Sequence, residues 1–122
     1  MAEFNPDSIL DTVKAYLGVE PDVLSFDQDI LMAINSALMT LDQVGIRCHA
    51  IANNMDTWSA VFPDTGVNIG GVRSYVYLRA RLIFDPPATS FALSAFQEQI
   101  KELEWRLQAK SEETPPAQPI VN

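Results

Sequence analysis

The stretch 73-RSYVYLRARLIFDPP-87 permits two readings, strand or helix, and the fold class follows from the choice. Its β-branched and aromatic residues suit a strand. Strict alternation fails, however, because Leu82, Ile83 and Phe84 run consecutively and Leu78 neighbours Arg79. At helical spacing Val72, Val76 and Ile83 lie near one face, with Tyr75, Leu78 and Leu82 beside them. Arg73, Tyr77 and Arg81 recur every four residues as a separate stripe. Asp85 precedes a proline, which disfavours the α conformation there. The segment therefore reads as a helix that follows Gly70-Gly71 and ends near Phe84.

Beyond the Pro86-Pro87 turn, Thr89 or Ser90 is placed to cap a long final helix. Leu93, Phe96, Ile100, Leu103 and Leu107 recur at steps of three and four, a narrow seam for packing on another helix. Twenty such residues span about 30 Å, more than a small core needs. The seam is expected to bury its first half in the subunit and to overrun it with the second. Trp105 falls off the seam, beside Arg106.

Before the central stretch, two more helices are legible. Asn5 is the candidate N-cap of the first, with Pro6 at its opening position, Ile9, Val13, Tyr16 and Leu17 at helical spacing, and Gly18 at its end. The second opens at Ser25, where Gln28 three residues on makes a capping box, and Gly45 ends it. Ile30, Ala33, Ile34, Ala37, Leu38 and Leu41 form its apolar stripe. Leu31 and Met39 lie off that stripe, so burial on more than one side is expected.

Between residues 46 and 71 periodicity vanishes. Asn, Pro and Gly punctuate the segment, and only "DTWSAVF" has the makings of a helical turn, capped by Asp56 or Thr57. Connections this long are functional or disordered. Trp58 and Phe62 favour an ordered excursion anchored by those two aromatics. The expected architecture is all-α: a small four-helix bundle with a long loop between helices 2 and 3 and a long C-terminal helix. Residues 1–110 form the helical domain, and 111–122 ("SEETPPAQPIVN") a flexible Pro-rich tail.

Hydrophobic residues make up 48% and charged residues 20% of the 122, values of an ordinary globular domain. No apolar run is long enough to span a membrane, and the opening residues lack the pattern of a secretory signal. A single cysteine fits a reducing compartment. The net charge is −8, but residues 1–45 carry eight acids against Lys14, a balance of −7, while 46–110 stand at +1. This asymmetry argues against nucleic-acid coating by the acidic third and is compatible with self-association of acidic face on basic face.

No catalytic signature is present. Gly70-Gly71 lack the lysine and hydroxyl of a phosphate loop, and His49 beside Cys48 leaves a metal tetrahedron incomplete. Asp27 and Asp29 open a helix, where carboxylates favour the macrodipole. No cofactor is expected. The arginine stripe is either a solvated face or a contact to a neighbour's acidic surface or to DNA in a channel. Trp105 is either an interface anchor or packed under the loop.

Several segments together, "SILDTVKAYLGV", "FDQDILMAINSALMTLDQVGI", "TWSAVFPD", "VRSYVYLRARLIFDPP" and "QIKELEWRL", resemble the head–tail connector (adaptor) proteins of long-tailed phages and prophages. The resemblance implies an all-α virion protein of the neck, assembled in the host cytoplasm, with no enzymatic activity. It implies a homo-oligomeric ring, a dodecamer, between portal and the next neck or tail-completion protein. Double-stranded DNA would pass through its lumen without sequence recognition. In such a ring Arg73, Tyr77, Arg79, Arg81, Asp27 and Asp29 become candidates for the subunit interface or channel. Trp105, Arg106 and Leu107 become candidates for the portal contact. The alternative is a small helical regulatory or DNA-binding module, for which "LIFDPPATS" is a poor recognition turn.

Overall fold

The computed structural model describes residues 4–64 and 67–113, the last three by backbone alone. Among the described residues five helices follow one another: α1 (Ile9–Tyr16), α2 (Asp27–Gln43), the one-turn α3 (Trp58–Val61), α4 (Ile69–Phe84) and α5 (Ser90–Glu113). The fold is all-α, with no strand among the described residues. The tail lies outside them from residue 114 on; before it, α5 continues three residues past Lys110.

The central stretch forms the central helix. α4 packs on α1, α2 and α5, which explains why so apolar a segment sits in an acidic chain. Val72, Tyr75, Val76 and Ala80 are fully buried in the core with Ile9, Val13, Ile34, Leu38 and Leu41. Ile83, expected on the same face, is exposed, because it sits in the last turn where its side has run out of neighbours. α4 ends at Phe84 as the following proline requires, but it starts earlier than expected, at Ile69. Asn68 caps it, its Oδ1 accepting from the Gly71 N–H at 3.1 Å. Gly71 is then inside the helix, where a Cβ would stand 3.4 Å from Leu107 Cδ2, so glycine lets α5 come close.

α5 folds back antiparallel on α4. Phe96 lies against Arg81, Glu104 against Tyr75 and Arg79, and Leu107 against Gly71. Thr89 provides the cap, its Oγ1 accepting from Ala92 N at 3.1 Å. Ile100 and Leu107 are buried and Leu93, Phe96 and Leu103 half-buried, while Phe91, off the seam in the first turn, is 86% exposed. This reverses the expectation that the first half of the seam is the buried one. The reason is topological: the return from Pro86-Pro87 lays the second half over the small-residue opening of α4. At 24 residues α5 is about 36 Å long against about 24 Å for α4, so its last turn still passes beyond α4's start.

Two expected caps are replaced. α1 begins at Ile9 and is capped by Ser8, whose Oγ accepts from Asp11 N, while Asn5 caps only the turn before it. Tertiary pairing dictates this: Trp58 N–H donates to Asp7 O and Ile9 N–H to Asp56 O, which holds Ser8 extended. α2 begins at Asp27 without a side-chain cap, so the Ser25–Gln28 box does not form. Asp27 instead holds Lys14 Nζ at 2.8 Å. Leu31 is buried as its off-stripe position suggested, but Met39 is exposed.

The excursion 46–64 is ordered. Thr57 caps α3, and Trp58 stacks on Phe62 with both side chains buried. Trp58 Nε1 donates to Thr12 Oγ1 at 3.0 Å. Asn35 clasps Ile51 twice, its Nδ2 donating to the carbonyl and its Oδ1 accepting from the N–H.

Candidate interaction surfaces

The four candidate residues on α4 divide into three environments. Arg79 is a clasp inside the subunit. Its Nη1 donates to Tyr75 Oη at 2.8 Å and lies 3.6 Å from Glu104 Oε2, while Ser36 and Thr40 of α2 accept at 3.3 Å. Tyr75 Oη in turn donates to Glu104 at 2.7 Å. Burial, then that hydrogen bond, pushes the Tyr75 phenol far above its ordinary range. Three helices are thus joined by one network, which specifies their register.

Arg81 and Tyr77 share the second environment. Arg81 lies over the Phe96 ring at 5.0 Å and donates to Tyr77 Oη, and Tyr16 packs edge-on against Tyr77 at 5.6 Å. Arg73 occupies the third. Its guanidinium lies 5.1 Å from the centre of the Trp58 ring, and its Nε is sheltered from solvent without a hydrogen-bond partner among the described residues.

The candidate acids also separate. Asp27 neutralises Lys14, which is 1% exposed and also donates to Pro21 O and Val23 O. Asp29, two residues on, is exposed. The buried role of Lys14 was missed from the sequence, although its being the only cation among eight acids was a usable signal.

On α5, Trp105 is 69% exposed. Arg106 is exposed beside it and paired with Glu102 at 3.3 Å. Leu107, grouped with them in sequence, faces the opposite way and is buried on α4, because it belongs to the seam. An open groove of about 480 Å³ runs between Asn68, Leu103, Trp105, Leu107 and Lys110.

Nothing here is arranged for catalysis by a thiol. Cys48 Sγ donates to Leu38 O at 3.3 Å, and burial, aided by Asp42, pushes its pKa up to about 11, so it keeps its proton and is a poor nucleophile. His49 is exposed on the loop. Among the described residues no group of three His, Cys, Asp or Glu side chains is placed to hold a metal ion, and no helix is long and apolar enough to cross a membrane.

A family model described as "Phage connector protein" matches residues 9–114, from the first residue of α1 to the end of α5. No curated protein and no solved structure matches the chain.

Proposed function

This chain belongs to the phage connector protein family, and from that premise we propose that it is a structural protein of the virion neck that forms a ring. The ring, a dodecamer, joins the portal of the DNA-filled head to the next neck or tail-completion protein and continues the DNA channel. Its role is structural and not catalytic, and it assembles in the host cytoplasm. The observation that carries the reading is the reach of the family match, which takes in every helix of the fold.

Two features of the surface support it. A closed ring is built from head-to-tail contacts, which need two unlike complementary patches on each subunit. The acidic third, with exposed Asp29 among its charges, and the side of α4 that carries Arg73 supply such a pair. The second feature is Trp105. An exposed tryptophan on a helix that outruns its support is suited to anchor a partner, here the portal. Arg106 lies beside it, and Leu107 holds the helix in place from beneath.

Native mass measurement and particle images of the protein, alone and mixed with portal, test the reading. A twelvefold assembly in either condition is expected, and a monomer in both would overturn it. Trp105→Ala should weaken portal binding by about 2 kcal/mol while leaving the fold intact. Unchanged portal affinity in that variant would remove Trp105 from the contact.

A further inference from the structure

Most basic side chains that the fold brings against other elements find their counterpart within the subunit. Lys14 has Asp27 and Arg79 has Glu104. Arg81 has the Tyr77 hydroxyl and the Asp85 carbonyl. Arg73 differs. It makes no hydrogen bond to any described residue, and its Nε is already stripped of water. Its plane is held by the buried Trp58, itself fixed by Thr12 and by the backbone of Asp7. A guanidinium held in this way has lost part of its hydration and its rotamer freedom before any partner arrives.

Arg73 lines an open groove of about 500 Å³ with Tyr16, Gly70, Ser74 and Tyr77. Hydroxyl-bearing Tyr16 and Ser74 thus share the groove with one cation, as does Tyr77, whose hydroxyl already accepts from Arg81. Gly70, in the first turn of α4, lines the groove without adding a side chain to it. The chemistry is that of an oxyanion receptor. We propose that this groove is a socket for a carboxylate side chain from the acidic N-terminal third of a second copy of the chain, and so the head-to-tail contact of the ring. The proposal rests on the ring reading above and narrows it. Arg73, not Arg79 or Arg81, makes the intersubunit ion pair, because Arg79 already holds Glu104 and Arg81 already donates to the Tyr77 hydroxyl and the Asp85 carbonyl. A DNA phosphate is the poorer occupant, since each subunit carries a net charge of −8 and repels the polyanion.

Ser74 provides a test that leaves the core alone, because it is exposed and lines the groove. Ser74→Glu places a carboxylate beside Arg73 in the same chain and should compete with the incoming one. Self-association measured by sedimentation or native mass, with portal added if assembly needs it, is expected to fall about tenfold or more, the effect of losing one charge-assisted pair. Ser74→Gln should assemble like the wild type. Arg73→Gln should repeat the loss at an unchanged helical circular-dichroism signal, with Arg73→Lys recovering part of it. Arg73→Glu should be rescued by one Lys substitution among the exposed acids Glu20, Asp22, Asp29 and Asp42.

Normal assembly of both Ser74→Glu and Arg73→Gln would overturn the socket and leave the ring reading standing. Failure of the wild type to assemble under any of these conditions would remove the ring reading, and the socket with it. Arg73→Gln that assembles normally but binds duplex DNA more weakly would place the groove at the lumen and also overturn the proposal.

Discussion

Segment 46–64 and helix α5 invert the usual relation between regularity and burial. The segment has one helical turn, yet Ile46, Ile51, Trp58, Val61 and Phe62 are each 5% exposed or less. α5 is the longest helix, yet it leaves Phe91 86% and Trp105 69% exposed. The cause is where the backbone finds its hydrogen bonds. A helix satisfies its own N–H and C=O groups and needs only one face covered. An irregular segment must find partners elsewhere, and this one takes them from Asn35, from Asp7 and from its own Asp56. Its stability is therefore a tertiary property, whereas that of α5 is partly local.

The strongest way to break this contrast is Trp58→Ala. Removing a buried indole together with its hydrogen bond to Thr12 should cost about 3–5 kcal/mol, read from the midpoint of urea unfolding. A loss below about 1 kcal/mol would show that the segment is pinned elsewhere. Asn35→Ala comes next. It unfastens both bonds to Ile51 and should cost about 1–3 kcal/mol, with amide exchange of residues 50–53 accelerated more than that of α4. Equal acceleration in both would mean that the segment has no separate opening. The smallest effect is expected on α5, where Phe91→Ala should change the stability of the subunit by no more than about 0.5 kcal/mol. A larger loss would mean that the first turn of α5 is held in the fold after all.

Much of this contrast was legible in the sequence, and for a definable reason. The seam of α5, the stripe of α2 and the stop at Asp85-Pro86 depend on residues a few positions apart, and local geometry reads them directly. Trp58 and Phe62 marked the long connection as ordered, since a disordered linker does not carry such side chains. Ser8 was hidden as a cap because the residue that decides it is Trp58, whose N–H takes Asp7 O from the far side of the core. The capping box of α2 failed for a similar reason, its first turn being occupied by the pairing of Asp27 with buried Lys14. The candidate arginines were recognisable as a group but not as three cases. Spacing places Arg73, Tyr77 and Arg81 on one stripe, yet it does not say that Tyr77 is taken by Arg81 or that Trp58 lies under Arg73.

The sequence by itself determined the helical class, the approximate register of each long helix, the sharp turn between α4 and α5 and the acidic bias of the first third. All of these follow from preferences that act within one or two turns of chain or from simple charge counting. Only the tertiary structure decided which charges are spent and which remain for a partner. The bond from Tyr75 to Glu104 spans 29 residues and that from Trp58 to Thr12 spans 46. At such separations the pairing is set by how helices cross and which side chains they desolvate together, and no local pattern encodes that. The same packing that silenced Arg79 and Lys14 left Arg73 over the Trp58 ring, dry at its Nε and, among the described residues, without a carboxylate of its own.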